Sequence, residues 1–352
     1  MSNSFNEKII NSKPRVGITI GDPAGIGAEV TLKAVADQTV GENCLPVIIG
    51  DAKFLQQTAR WLGLSADYQI VDAKSESLSK IFVTAKEPLI LDCQNIKSEI
   101  EFGVESAMTG KASAEYIEKA VALCLAGQLD AVATAPISKN ALKMANVPFP
   151  GHTEFLAHLT QTNEFAMSFF AGNLRVALLS THLSLKNALQ LVKREAVARL
   201  IRLTNRELKK LGIAQPRIAV AALNPHAGEN RLFGAEEADE INPAIGDCRA
   251  EGINVSGAFP ADTIFLRNLK GEFDAVIAHY HDQATIPVKS LAFGDAVNVT
   301  LGLPIIRTSV DHGTAFDIAG KNLAEHSSLK AAIILAASLS RQRITERRTA
   351  AV

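Results

Sequence analysis

The chain has 352 residues, 47% of them hydrophobic and 21% charged, with a formal net charge of -1. That length exceeds one typical domain and suggests two, and the composition argues against a disordered chain. The near-neutral balance gives no electrostatic reason to expect nucleic acid or a membrane surface as a partner.

The first fifteen residues, with Lys8, Asn11 and Lys13, hold no apolar core long enough for a signal peptide. No segment approaches the length of a transmembrane helix. Cys44, Cys93, Cys124 and Cys248 are scattered and form no CxxC pair, as expected of reduced thiols in a cytoplasmic protein.

The predicted elements alternate short β-branched runs with amphipathic stretches. Arg15–Ile20 ("RVGITI") reads as a buried strand, and Gly21–Gly27 ("GDPAGIG") as the turn that leads from it into a helix. Leu45–Ile49 is the next strand, Ser106–Leu125 a long helix and Ala131–Thr134 a further strand. Val176–Leu179 follows. Lys193–Leu211 is the clearest helix, with Val197, Leu200, Ile201, Leu208 and Leu211 on one stripe and its Lys and Arg residues as a solvated face. Ile218–Ala222, Ala275–Ala278 and Ile305–Ile306 read as strands, and Ser327–Arg343 as a closing helix. Such alternation predicts a layered α/β protein with mainly parallel or mixed sheets. No repeat or low-complexity linker marks a domain boundary.

Nearly every unusual polar cluster begins where an apolar run stops. "TI" leads into Gly21-Asp22-Pro23, "ATA" into Pro136-Ile137-Ser138-Lys139, and "LLS" into Thr181-His182. "AAL" leads into Asn224-Pro225-His226, and "VIA" into His279-Tyr280-His281-Asp282. In open α/β sheets ligands bind outside the carboxyl ends of strands, so the clusters predict one site.

Gly21, Gly25 and Gly27 do not have the G-x-G-x-x-G spacing of a dinucleotide-binding turn. The segment therefore predicts a tight turn, with Asp22 and the following helix N-terminus near the site. Of the eight histidines, His158 and His326 read as ordinary surface residues, whereas His182, His226 and His281 each stand just beyond a strand end. Any one alone would be structural; three in equivalent positions favour a metal, because neutral imidazole suits Zn, Co, Ni and Fe(II). Three protein ligands with open positions describe a catalytic site, not a closed structural one. Whether they converge in space stays open at this point. Lys289 and Arg307 bring cations after the same kind of apolar run, as a point charge and a bidentate fork for anions, with a surface ion pair as the alternative for each.

In order along the chain stand "GDPAGIG", "GHTE", "THLSL", "NPHAGE", "FPADT", "YHDQ" and "VNVTLGLPIIRTSVDHGTAFDIAG". This series resembles the family of 4-hydroxythreonine-4-phosphate dehydrogenases, over nearly the whole chain after Pro14. Departures are minor: Ala284-Thr285 after "YHDQ", where Gly is common, and Asn230-Arg231 after "NPHAGE".

The resemblance implies two α/β/α domains of isocitrate/isopropylmalate dehydrogenase-like type, with the active site in the cleft between them. The first would span 1–140, completed by 300–352, and the second 141–299, carrying metal ligands and dimer contacts. It implies one divalent metal (Zn, Co or Mg) on His182, His226 and His281, in a cytoplasmic homodimer where His281 reaches the metal of the neighbouring subunit. It assigns His152, Thr153, Lys289, Asn298 and Arg307 to the substrate. "HGTAFDIAGKN" is similar to the "HGSAPDIAGKN" loop with which isopropylmalate dehydrogenases hold the adenosine half of NAD, so Gly313, Asp317 and Ile318 are the expected contacts to NAD or NADP.

The implied reaction is oxidation of 4-phosphooxy-L-threonine to a β-keto acid that decarboxylates to 3-amino-2-oxopropyl phosphate, in pyridoxal 5'-phosphate (vitamin B6) biosynthesis. Asp282 or Asp262 is the candidate proton acceptor. Two alternatives remain at this stage. One is a sibling dehydrogenase acting on threonate or erythronate 4-phosphate or a cyclic dihydrodiol; the other is a three-histidine metal hydrolase, which has no need of the Asp317 loop.

Overall fold

The computed structural model describes residues 13–291 and 296–349. Its strands are β1 (Arg15–Thr19), β2 (Leu45–Gly50), β3 (Gln69–Asp72), β4 (Leu89–Asp92), β5 (Ala131–Thr134) and β6 (Ala166–Ala171). They continue with β7 (Leu174–Leu178), β8 (Ile218–Ala221), β9 (Val255–Phe259), β10 (Ala275–Ala278), β11 (Val297–Leu301) and β12 (Arg307–Ser309). The chain forms two compact units, one running to Gln161 and resuming over Pro304–Arg341, the other comprising Thr162–Leu303 and the residues from Gln342.

In the first unit the strands run β3-β4-β2-β1-β5-β12, all parallel. Strands buried on both faces need apolar side chains in both directions. β2 ("LPVIIG") and β5 ("AVAT") are accordingly buried at every position. In the second unit the order is β11-β6-β7-β10-β8-β9, with β6 antiparallel to β7 and β11 and the other pairs parallel. Its core gathers Phe169, Leu174, Val176, Ile264, Phe265 and Val276, and each such side chain contributes about 1.5–3 kcal/mol when buried. The helix Arg194–Lys210 buries Val197, Leu200, Ile201 and Leu208, and its charged face meets water, as the sequence stripe predicts.

The structure departs from the sequence reading in three places. β12 starts at Arg307, so Ile305 and Ile306 lead into the strand, although the Ile306 carbonyl already accepts the Val132 N–H at 2.9 Å. Strands β3, β4, β6, β9 and β11 were not anticipated. The first unit runs to Gln161 instead of ending near 140, because the helix Lys139–Met144 lies hard against the helix Ala107–Leu125. A Cβ on Gly110 would stand 2.0 Å from the Ala141 carbonyl oxygen. His152 and Thr153 therefore belong to the same unit as Arg307.

That contact sets up a paired test. Gly110→Ala forces two helices apart and should destabilise the protein by roughly 1–3 kcal/mol or more. Gly246→Ala, in the helix Asn242–Ala250 with nothing within 4 Å of its Cβ position, should be neutral or stabilising by up to about 1 kcal/mol. Chemical denaturation of both variants decides; equal stabilities would contradict the packing described.

Candidate functional site

In the second unit β10 lies between β7 and β8, parallel to both, so the carboxyl ends of all three strands open on one edge. Buried hydrogen bonds stitch these ends together. His279 is fully buried, and its Nε2–H donates to the Ala221 carbonyl at 2.7 Å. The Ser180 hydroxyl donates to the His279 carbonyl at 2.9 Å. Gln283 accepts the His279 N–H through Oε1 at 2.7 Å and donates from Nε2 to the Ala222 carbonyl at 2.7 Å. Burial pulls the pKa of His279 down to about 4, so its imidazole is neutral and serves as a strut. The Nδ1 atom of His279 is buried without a hydrogen-bond partner.

Above this layer stand the candidate metal ligands. The rings of His182 and His281 lie 5.9 Å apart, centroid to centroid. Nδ1 of His281 is 2.7 Å from Oδ1 of Asp282 and 3.5 Å from Oγ1 of Thr285. With its Nδ1–H given to the carboxylate, His281 presents an Nε2 lone pair, the arrangement that orients a metal-binding imidazole. His281 thus has a histidine of its own chain within reach, where the resemblance sends it to a neighbour. His226 sits exposed in a left-handed turn (φ 51), its ring 6.0 Å from that of Phe233. Among the described residues no three His, Cys, Asp or Glu side chains gather closely enough to hold a metal ion.

The other predicted residues of this unit lie further out. Asp262 is exposed in the first turn of the helix Ala261–Leu269. Lys289 is exposed on the helix His281–Leu291, about 12 Å along the axis from His281. Asn298 pairs with Phe169 inside the sheet and not at the loop edge.

The first unit holds a buried cation. Arg307 is 3% exposed, and its Nε and Nη2 donate to Thr134 Oγ1 at 3.2 and 2.9 Å. Burial lowers the guanidinium pKa to about 9, partly offset by the Glu154 carboxylate. His152 opens the helix His152–Leu159, and its Nε2 is buried without a hydrogen-bond partner. Burial and then the Arg307 charge push its pKa well below the usual histidine range, keeping the ring neutral. A neutral donor beside a buried guanidinium suits an anion, whose charge would offset the cost of burying the cation. Thr153 follows in the first turn of that helix, half-buried.

The predicted cofactor loop packs on the Gly21–Gly27 turn of the same unit. Ile26 N–H donates to the Thr314 carbonyl at 3.0 Å, and a Cβ on Gly25 would stand 2.9 Å from that oxygen. Asp22 accepts the Ala24 N–H at 2.9 Å through Oδ1, while its Oδ2 is buried without a partner and burial raises its pKa. Gly313 faces open space where a Cβ would be, Asp317 is exposed, and Ile318 closes a turn onto Ala315 at 3.1 Å. An open glycine and an exposed carboxylate in one loop are residue types that suit a ribose with its hydroxyls.

Sequence reasoning missed Thr134, Glu154, Gln283 and Glu237 as supports. Thr134 and Gln283 carried a weak signal, as polar residues at or just beyond a buried strand end. Glu237 carried none, because "EEADE" reads as a solvated acidic run.

Arg307→Lys keeps the charge and loses the planar fork. Calorimetric affinity for a small phosphorylated anion should fall by about tenfold or more. Unchanged affinity would place Arg307 outside the anion site.

Comparison with known proteins identifies the family. Residues 42–336 match the family described as pyridoxal phosphate biosynthetic protein PdxA. The D-threonate 4-phosphate dehydrogenase of Cupriavidus necator is 44% identical over 334 residues, covering 94% of this chain and 98% of its own. The 4-hydroxythreonine-4-phosphate dehydrogenase of Trichlorobacter lovleyi is 42% identical over 334 residues, covering 94% and 99%. A crystal structure of a 4-hydroxythreonine-4-phosphate dehydrogenase from Burkholderia phymatum superposes with a TM-score of 0.83 at 44% identity, covering 94% of this chain and 99% of that one. The match of fold, extent and wording has one meaning: the chain belongs to the PdxA family, whose named relatives here are dehydrogenases of four-carbon 4-phosphates.

Proposed function

We propose that this protein is a metal-dependent, NAD-dependent dehydrogenase of a phosphorylated four-carbon hydroxy acid, with 4-phosphooxy-L-threonine as substrate and a place in pyridoxal 5'-phosphate synthesis. The observation that carries the reading is the His182–His281 pair, with Asp282 holding the Nδ1 proton of His281. A second substrate, D-threonate 4-phosphate, is favoured by the name of the Cupriavidus relative. The two differ by an amine in place of a hydroxyl.

When bound, a divalent cation such as Zn, Co or Mg supplies Lewis-acid chemistry, and the nicotinamide accepts hydride. His182, His226 and His281 are the residues that would hold the cation, and Gly313, Asp317 and Ile318 those that would hold NAD or NADP. Arg307, His152 and Thr153 bind an anionic end of the substrate, and Lys289 and Asn298 are proposed for its remaining polar groups. Since Asp282 already accepts the His281 proton, we assign it to ligand orientation and give Asp262 the hydroxyl proton as the carbinol carbon loses hydride. The resulting β-keto acid loses its carboxylate as carbon dioxide, and the carbon left behind takes up a proton.

The same unit supports a homodimer. Leu183, Leu185, Leu189 and Leu191 are 42–56% exposed just after His182, Ile286 is 63% exposed near His281, and Leu232 is 71% exposed near His226. Apolar surface of that extent around three histidines suits a second copy of the chain. Since His182 and His281 pair within one chain, His226 is the ligand we assign to the partner. No helix among the described residues is long and apolar enough to cross a membrane, and we place the enzyme in the cytoplasm.

The primary test is NADH formation with 4-phosphooxy-L-threonine and with D-threonate 4-phosphate, with and without chelator. We expect chelator-sensitive turnover, higher kcat/KM on the amino substrate, and less than a tenth of the activity in His226→Ala. Turnover of neither compound would end the reading, and a preference for threonate 4-phosphate would move the enzyme out of cofactor synthesis.

Subunit mixing tests the shared site. His226→Ala and His281→Ala, each inactive alone, should regain about a quarter of wild-type activity after exchange, because half the dimers are mixed and half their sites are intact. His182→Ala mixed with His281→Ala should stay inactive. Recovery in both mixtures would return His281 to the partner's metal.

A further inference from the structure

The loop that carries His226 cannot hold its shape by local preference. Six consecutive residues, His226 to Arg231, have positive φ, at 51, 56, 76, 37, 53 and 76°. Gly228 adopts that region freely and Asn230 readily, while His226, Ala227, Glu229 and Arg231 each cost on the order of 1 kcal/mol. Something outside the loop must fix it.

The ties come from the π-helical turn Glu237–Ile241 and the residue before it. Glu237 is 3% exposed. Its Oε1 accepts the backbone N–H groups of Leu223 at 2.8 Å and Asn224 at 2.7 Å, and its Oε2 accepts Nδ2 of Asn224 at 2.9 Å. The same Oε2 would stand 2.8 Å from a Cβ on Gly228, so one carboxylate is bonded to the chain before His226 and packed against it after. Glu236 takes a further bond from Asn224 Nδ2 at 2.7 Å, and Asp239 pairs with Arg231 at the far end of the loop. Burial alone would raise the Glu237 carboxyl, but the Asn224 and Leu223 donors outweigh it and hold the group below its usual range, ionised. π-helical turns recur at functional sites because the extra residue re-aims side chains.

We propose that Glu237 is a positioning residue for the metal: it sets the left-handed turn that projects His226, and metal affinity depends on it although it touches no ligand. This rests on the reading of His226 as a metal ligand. Replacing Glu237 with Gln leaves one oxygen for the backbone N–H groups but puts an amide N–H against the Asn224 Nδ2 donor and removes the charge, weakening the grip with little change in volume.

The test uses the full-length protein stripped of metal and titrated with Co2+ alone. Visible absorption of the bound ion is the readout, and thermal unfolding of the metal-free protein is the control. Glu237→Gln should bind Co2+ about 10–100-fold more weakly, the range typical of supports behind a metal ligand, with an altered absorption band and a metal-free Tm within a few degrees of wild type. Asn224→Ala, which removes the Nδ2 donor to Glu237 Oε2, should give a loss in the same direction and decides the matter if Glu237→Gln does not fold. Wild-type Co2+ affinity and spectrum in the folded variant, while His226→Ala loses both, would overturn the role of Glu237 alone. If His226→Ala also keeps wild-type affinity, the ligand assignment fails and this proposal falls with it.

Discussion

Everything at the histidine edge depends on β10 lying between β7 and β8 in parallel. Parallel neighbours bring their carboxyl ends to one side, and a chain that leaves each strand in a polar loop then delivers three histidines to one rim. The buried His279 and Gln283 hold that alignment by bonding main chain on the adjacent strand β8 and just beyond it. Such bonds are worth little in water and much more in a dry interior, where an unmade bond carries the full desolvation cost. The neutral state of His279 is part of this, since burial outweighs the Ala221 bond and the Glu237 charge that favour its protonation.

The first unit solves a different problem, that of a guanidinium held out of water. Thr134 accepts from two of its nitrogens and Glu154 lends some charge, while burial lowers the Arg307 pKa to about 9. An anion arriving there meets a group already stripped of its hydration, so its binding is not weakened by having to strip it. Nearby, His152 is kept uncharged by the same burial, and so adds a donor or acceptor without adding to the field.

What was legible in the sequence follows from how local each signal is. Strands buried on both faces announce themselves, as "AVAT" and "AVIA" do. β3 ("QIVD") does not, because only Val71 is buried there. The histidines were visible because each follows an apolar run, but their pairing was not. Strand order decides which loops become neighbours, and it is not written in any window of residues. The grouping of His152 with Arg307 was also hidden: the two share a unit through the packing of Gly110 against Ala141, a non-local contact. Glu237 shows the limit most sharply. Its role arises from burial, and burial turned an apparently solvated acidic run into the anchor of a loop.

The interrupted course of the first unit also bears on how the protein is made. Its sheet lacks β12 until the ribosome has released a segment 173 residues beyond Thr134. The second unit is contiguous over Thr162–Leu303 and pairs Ala166 with Leu301, bringing its own two ends side by side. If it collapses first, the span left to close shrinks to roughly 40 residues and the closure entropy eases by about 1 kcal/mol. Synthesis order and topology then agree: the nascent chain can complete the histidine edge before Arg307 is made, and the contact of Arg307 with Thr134 forms after it.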